Sequence, residues 1–281
     1  MTVKEYLLEL KKYSQYDFSE YSDNSIQRRL QKILEEKSMS MDQLLEQTKN
    51  SPIFVEQLVN EITVNTTEFF RDPDIWLEYA TTCLDNYNRK KTINIWHAGA
   101  SSGQEVFSNL ILLDHYGYLH KSNVIATDIN HSVVNEGKKG EFRLSANIKN
   151  IENFKSEVIK SLEGEHSLKK ILFKKYLIGD EKKDILKVHE SLKIIPVFAK
   201  HDLVKEPLPF ELRFDVIFCR NVLIYFNTSL QTRILKMFHD RLNTGGYLIL
   251  GSHESVFGFI KTRFVKKGNF FVKNNIFHFK Y

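Results

Sequence analysis

Four short stretches hold the residues able to do chemistry. The first is Gly99-Ala100-Ser101-Ser102-Gly103-Gln104-Glu105, which follows an apolar run and opens a helical pattern. Glycines at such a place let the backbone turn sharply and let a ligand approach the main chain. No Gly-Lys-Ser/Thr follows, so the loop is not a triphosphate-binding P-loop. The second is Ala126-Thr127-Asp128-Ile129 at the end of the next apolar run. An acid there can accept hydrogen bonds from ribose hydroxyls. Taken singly, these stretches read equally well as a plain strand-to-helix turn and an exposed aspartate. Together they describe nucleoside recognition. The interval from Gly99 to Asp128 exceeds the usual dinucleotide spacing, and the third glycine of that fingerprint is missing. Both features favour a ligand with an adenosine and no pyrophosphate, and S-adenosylmethionine is the leading candidate.

The third stretch, Phe218-Cys219-Arg220-Asn221-Val222-Leu223-Ile224-Tyr225-Phe226, sets Arg-Asn inside an apolar run. A polar pair there needs partners if buried. The plainer alternative is that Arg220 pairs with a nearby carboxylate for structure alone. The fourth, Thr63-Val64-Asn65-Thr66-Thr67-Glu68-Phe69-Phe70-Arg71-Asp72, offers amide and hydroxyl groups and an arginine that can reach a carboxylate. Its plainer alternative is a helix end running into a linker, although domain junctions are favoured ligand sites.

The elements that position these stretches follow from periodicity. Residues 1–75 read as a helical bundle. Thr2 caps a first helix, a second begins near Asp23 with Ile26, Leu30 and Ile33 on one face, a third runs over 41–48, and Pro52 opens a fourth. After about Arg89, short apolar runs at 92–98, 124–127, 195–200, 214–219 and 246–250 alternate with helical patterns. That alternation predicts a parallel sheet with crossover helices, whose carboxyl edge is where ligands bind. Residues 146–175 are expected to form an exposed helix, residues 176–193 a hairpin turning near 179–183, and residues 270–281 a closing strand pair.

Composition bounds the rest. The chain has 281 residues, 42% hydrophobic and 27% charged, which argues against disorder as the main state. Two cysteines exclude a disulfide scaffold and a Cys-rich zinc module. No apolar run reaches about 18 residues, so no transmembrane helix is expected. The charged N-terminal segment lacks the features of a secretory signal, which predicts a cytoplasmic protein. The formal charge of +5 is a mild excess, and the histidines, His97 and His201 among them, lie at no metal-ligand spacing and read as surface or core residues, so no metal is implied.

In this order and spacing the four stretches resemble the chemotaxis receptor methyltransferases of the CheR type. The resemblance runs from Asp17 to Ser255 and includes His201-Asp202-Leu203, Gly245-Gly246-Tyr247-Leu248, Gly251 and Glu254-Ser255. Its most specific part is the string from Cys219 to Phe226. It implies an α/β, Rossmann-like S-adenosylmethionine-dependent methyltransferase domain over 76–281, with a small antiparallel β insertion at about 176–198. A small all-α domain with its linker, 1–75, precedes it. The implied activity is protein-glutamate O-methylation, with S-adenosylhomocysteine as product. The implied cofactor contacts are Asn65, Thr67 and Arg71 from the linker, Gly99, Ser101, Gly103 and Glu105 from the loop, Asp128 at the ribose, Asp202 and Leu203 near the adenine, and Arg220 and Asn221. Arg71, Arg220 and Tyr225 are the implied catalytic group. The chain departs from the family pattern at Gln104 for a usual Glu, Val106 for a usual Pro, Asp202 for Asn, and Gly251-Ser252-His253-Glu254 for Gly-His-Ser-Glu.

A glutamate is ionised at neutral pH and is already a competent nucleophile. Catalysis then rests on positioning and desolvation, and positioning alone supplies roughly 7–11 kcal/mol in favourable cases. Arg71 or Arg220 is expected to orient the incoming carboxylate, with Tyr225 as a wall. The basic face Arg28, Arg29, Lys32 is expected to dock the acidic cytoplasmic helical bundle of membrane chemoreceptors, against the plainer reading of a solvated helix face. No nucleic acid, no direct membrane insertion and a monomer are expected. The alternatives are a small-molecule carboxyl methyltransferase and a non-catalytic S-adenosylmethionine-binding signalling module.

Overall fold

Capping chemistry starts the chain. Thr2 accepts from the Glu5 backbone N–H while Glu5 reaches back to Thr2, opening α1 (Val3–Tyr13). After α2 (Asp23–Lys37), a second such box between Ser40 and Gln43 opens α3 (Met41–Asn50), and Ser51 with Pro52 opens α4 (Pro52–Ile62). The apolar faces meet over Tyr6, Leu10, Phe18, Leu30, Leu44 and Leu58, all fully buried. The computed structural model describes residues 1–160, 162, 164, 166–205, 208 and 210–274.

The linker beyond α4 is not loose. Phe69 and Phe70 are buried in the core of the α/β part, and α5 (Pro73–Glu78) follows at once. Next come β1 (Ile93–Ala98), α6 (Gln104–His115), β2 (Ser122–Asp128), α7 (His131–Lys139), β3 (Glu141–Arg143), α8 (Leu144–Asn153), β4 (Leu177–Asp180), β5 (Ile185–Val188), α9 (Glu190–Lys193), β6 (Pro196–Lys200), β7 (Phe214–Cys219), α10 (Thr228–Arg241), β8 (Leu242–Leu250), β9 (Phe264–Lys267) and β10 (Phe270–Lys273).

Among the described residues the large sheet has the order β6-β2-β1-β7-β8-β10-β9. The pairs from β6 to β8 are parallel, and β10 runs antiparallel to β8 and to β9. Every residue of β7 is buried, as a strand covered on both faces requires. The strand order reverses between β1 and β7. A crevice outside their carboxyl ends is the expected ligand site of such a sheet. Gly99 and Arg220 are the residues that step off those two ends.

Three expectations change. The antiparallel insertion has the order β3-β5-β4, so it begins near residue 141, and 196–200 lies outside it, paired in parallel with β2. An edge strand with Val197 half exposed and Phe198 buried looks alike from sequence in either sheet. Residues 146–175 are not merely an exposed helix. Ile151, Phe154 and Val158 are buried, and Phe154 stacks on Phe70 at 4.2 Å. The closing pair lies at 264–273, and residues 275–281 fall outside the described residues. Among the described residues no helix is long and apolar enough to cross a membrane.

Candidate active site

A cleft of about 1130 Å³, open to solvent, lies over the reversal point and is roofed by the linker and by α2. Its floor is the first two motifs. Gly99 has φ +78° and its N–H donates to the Thr127 carbonyl at 2.8 Å. A Cβ on Gly99 would come 2.4 Å from the Val222 side chain, so only glycine lets the two loops close up. The Ser101 N–H donates to Asp128 Oδ2 at 2.8 Å, and the Asn130 N–H to Oδ1 at 3.0 Å. Burial pushes the Asp128 carboxyl above its ordinary range, against the backbone N–H groups of Asn130, Ser101 and Ile129. A carboxylate offers about four acceptor positions, so Asp128 still has capacity for hydroxyl donors from the cleft. Asp202 and Leu203 continue the floor, and Asp202 Oδ1 accepts from the Val204 N–H at 2.8 Å.

The strand ends are joined to the linker by ionic contacts that no local pattern announces. Arg220 Nη2 donates to Asp72 Oδ2 and to the Arg71 carbonyl, both at 2.7 Å, and Nη1 donates to Glu105 Oε2 at 3.2 Å. Its side chain is only 2% exposed. This corrects the expectation that Arg220 orients an incoming carboxylate, because its guanidinium is already committed to two carboxylates and a carbonyl. Burial works to raise the Glu105 carboxyl, but the His97 hydrogen bond and the Arg220 charge outweigh it and hold the group below the ordinary range. Asn221, at φ +60°, donates its N–H to Glu254 Oε2 at 2.7 Å. The Gly251 N–H reaches the same oxygen at 2.7 Å and the Ile224 N–H reaches Oε1 at 3.2 Å. One carboxylate thus ties the loop that carries Asn221 and Tyr225 to the end of β8.

The roof is basic. Arg71, Arg28 and Arg29 line the cleft with Tyr225, and none of the three guanidinium groups has a carboxylate partner among the described residues. Burial raises the Tyr225 hydroxyl pKa while Arg29, Arg71 and Arg28 oppose that shift, so the phenol is protonated at neutral pH with three cations in reach of its field. Lys32 is turned to Glu36, 3.4 Å away on its own helix.

Of the residues singled out from sequence, Asn65, Thr67, Arg71, Gly99, Ser101, Glu105, Asp128, Asp202, Leu203, Arg220, Asn221 and Tyr225 line one cleft. Gly103 does not. It precedes α6 at φ +93°, and a Cβ there would come 2.9 Å from the Phe198 ring, so the glycine serves packing rather than a ligand. Asn65 lines the cleft, but its amide is occupied with the Asn60 carbonyl and the Thr63 hydroxyl. Sequence reasoning missed Asp72, His97, Glu254 and Tyr21. Asp72 and Glu254 stood in quoted motifs without a role of their own, and Tyr21 carries no local signal.

The donor set suits an adenosine joined to an amino acid. Ser101 Oγ is buried in the floor with no hydrogen-bond partner among the described residues, Asp128 has acceptor capacity for hydroxyls, and Glu105 presents an anion near the free Arg71 cation. Comparison with known proteins agrees. The family described as CheR methyltransferase, SAM binding domain, matches residues 65–269. The chain belongs to the CheR methyltransferase family. A Pseudomonas putida protein named Cher3 is 35% identical over 246 residues, covering 87% of this chain and 85% of that protein. A Borreliella burgdorferi protein named chemotaxis protein methyltransferase is 31% identical over 212 residues, covering 72% and 68%. Vibrio cholerae chemotaxis protein methyltransferase 1 is 31% identical over 206 residues, covering 71% and 68%. This CheR-family chain is therefore an S-adenosylmethionine-dependent protein-glutamate O-methyltransferase with the α/β architecture expected of it.

Proposed function

We propose that this CheR-family enzyme esterifies glutamate side chains on the cytoplasmic helical bundle of membrane chemoreceptors, acting as a monomer in the cytoplasm. The observation that carries this reading is the separation of charge in one cleft. Its floor holds Asp128, Glu105 and Asp202, and its mouth holds Arg28, Arg29 and Arg71 without carboxylate partners among the described residues. An acidic helix meets the mouth, and a zwitterionic cofactor suits the floor.

The residues divide the work accordingly. Asp128 holds the ribose hydroxyls, Ser101 donates its spare hydroxyl, Glu105 faces the amino-acid ammonium, and Asp202 with Leu203 borders the adenine. When bound, S-adenosylmethionine supplies a methyl carbon on a sulfonium, which an ionised carboxylate can take without any proton being moved. Arg71 orients that incoming carboxylate. A loose contact serves best, since a tight ion pair would blunt the nucleophile. Tyr225 walls the approach and stays neutral, so it does not repel the anion. Arg220 never meets substrate. It holds the linker so that Arg71 stands at the mouth.

The test is methyl transfer from labelled cofactor to a chemoreceptor cytoplasmic fragment, read as base-labile methyl ester on glutamates. Arg71→Ala should lower kcat/KM by roughly 10–150-fold, the size of a lost charged hydrogen bond of about 1.5–3 kcal/mol, while its melting temperature stays near that of the wild type. Wild-type turnover in that variant would remove Arg71 from the role. Labelling of free dicarboxylic acids in preference to the fragment would favour a small-molecule enzyme. Cofactor binding with no transfer to any receptor would favour a non-catalytic module.

A further inference from the structure

His97 is the penultimate residue of β1 and is fully buried. Its ring lies flat on Phe218, with centroids 4.5 Å apart and planes 5° from parallel. Both ring nitrogens are used. Nδ1 is 2.8 Å from Glu105 Oε1, and Nε2 is 3.0 Å from Asn109 Nδ2. An amide nitrogen only donates, so Asn109 makes Nε2 the acceptor and puts the imidazole proton on Nδ1, pointing at Glu105. This tautomer is assigned from the hydrogen-bond network. Glu105 is thus gripped at Oε1 by His97 and at Oε2 by Arg220, and the residue lines the cleft. The same Arg220 holds Asp72 and the Arg71 carbonyl, which also accepts from Trp76 Nε1 at 3.0 Å.

We propose that His97, set by Asn109, is a positioning residue for cofactor binding: it aims the Glu105 carboxylate at the ammonium of the cofactor's amino-acid end. The proposal rests on the reading that Glu105 faces that ammonium. Asn109 lies one turn of α6 beyond Glu105, so one helix carries both the aimed carboxylate and the amide that fixes the histidine aiming it.

The charge state of Glu105 follows from the same contacts. The groups that face it are His97 from β1, Arg220 and the neutral Cys219 thiol from the end of β7, and, through Arg220, Asp72 from the linker. Desolvation favours the neutral acid, and His97 is the first contact opposing it. With His97 gone, Arg220 alone opposes burial and the carboxyl shifts upward toward neutrality. A neutral acid does not attract an ammonium, so a variant without the Nδ1 donor acquires a pH-dependent affinity that falls as pH falls.

The test is calorimetric titration of the full chain with S-adenosylhomocysteine, which has the ammonium, and with methylthioadenosine, which lacks the whole amino-acid end. His97→Phe keeps the stacked ring and removes the donor. It should weaken S-adenosylhomocysteine by roughly 10-fold or more at neutral pH, as the loss of a charge-assisted hydrogen bond implies, and leave methylthioadenosine within about 2-fold. The deficit should widen as pH falls, because the Glu105 carboxyl without its His97 donor is neutralised more readily than in the wild type. His97→Gln, which restores an N–H toward Glu105, should recover most of the affinity. Should His97→Phe not fold, Asn109→Leu decides, because it leaves the ring in place but releases Nε2, and it should show the same split at smaller size. Equal weakening of both ligands, or no weakening of either, overturns the proposal. A wild-type chain that binds methylthioadenosine as tightly as S-adenosylhomocysteine overturns instead the placement of Glu105 at the ammonium.

Discussion

The floor and the roof of the cleft are built by different means. Floor contacts join neighbouring parallel strands. The Ser101–Asp128 hydrogen bond spans 27 residues, and Gly99 and Ala100 both bond to Thr127. Once β1 and β2 pair, these contacts form with no help from the helical domain. Roof contacts reach across the whole chain. Arg220 to Asp72 spans 148 residues, Lys200 to Tyr16 spans 184 and Arg233 to Glu20 spans 213. The floor presents acids and the roof presents arginines. The acidic floor is therefore preorganised by local sheet geometry, whereas Arg28 and Arg29 reach the mouth only because α2 packs over it.

The sharpest way to break that arrangement is at Arg220, which touches Glu105 on the floor and Asp72 in the linker. Arg220→Met leaves the Glu105 carboxylate buried without its cation and Asp72 unpaired. Removing one partner of a buried pair typically costs about 3–5 kcal/mol, and denaturant unfolding should show a loss of that size. Because Glu105 then loses the charge that helps keep it ionised, its folded carboxyl protonates at higher pH than in the wild type, and the deficit should narrow as pH falls and the buried acid becomes neutral. A loss under about 1 kcal/mol would mean that the Arg220 ion pairs add little to the joining of floor and roof.

A weaker lever separates the two parts by function. Reversing the charge of both Arg28 and Arg29 should raise KM for a receptor fragment by roughly 10-fold or more, with steep dependence on salt, since like charges then face each other at the mouth. Affinity for S-adenosylhomocysteine should not change, because neither residue belongs to the floor. An unchanged KM would make the basic face of α2 a solvated surface and nothing more.

The same contrast explains what could be read from residues alone. The floor was legible because its contacts lie within or between adjacent motifs, so residue type and spacing carry them: glycine at Gly99, an acid at Asp128. Gly103 was the exception there. A positive-φ glycine at a helix start looks the same whether it admits a ligand or, as here, the Phe198 ring. The roof was legible only as a set of candidates. Nothing near Arg220 in sequence shows that its partner is Asp72, so pairing with a carboxylate stood only as the plainer alternative to a group facing substrate. His97 sits in an apolar run at no ligand spacing, and its partners Glu105 and Asn109 come to it only when α6 folds back on the sheet. The insertion was misjudged for a related reason. β3 has three residues, too few to show a period, and its partner β5 lies over 40 residues away.

The smallest expected effect sharpens the comparison from the other side. Arg233 and Glu20 form a two-armed ion pair between α10 and the helical domain, with Nη1–Oε1 at 3.0 Å and Nη2–Oε2 at 2.6 Å. The pair is largely solvated, so Arg233→Ala should cost at most about 1 kcal/mol, and less at high salt. Activity on a receptor fragment should stay within about 2-fold of the wild type. The reason is that the docking does not hang on that pair. The Ser22 N–H donates to the Tyr225 carbonyl at 2.8 Å, the Asn227 N–H to the Glu20 carbonyl at 3.0 Å, and Tyr21 packs edge-on against Phe226 at 5.0 Å. These backbone bonds flank the loop that carries Tyr225 and survive the substitution. If Arg233→Ala instead lowered activity as far as Arg71→Ala, the helical domain would be held over the cleft chiefly by surface charge. The roof would then be a lid in rapid exchange rather than a docked wall.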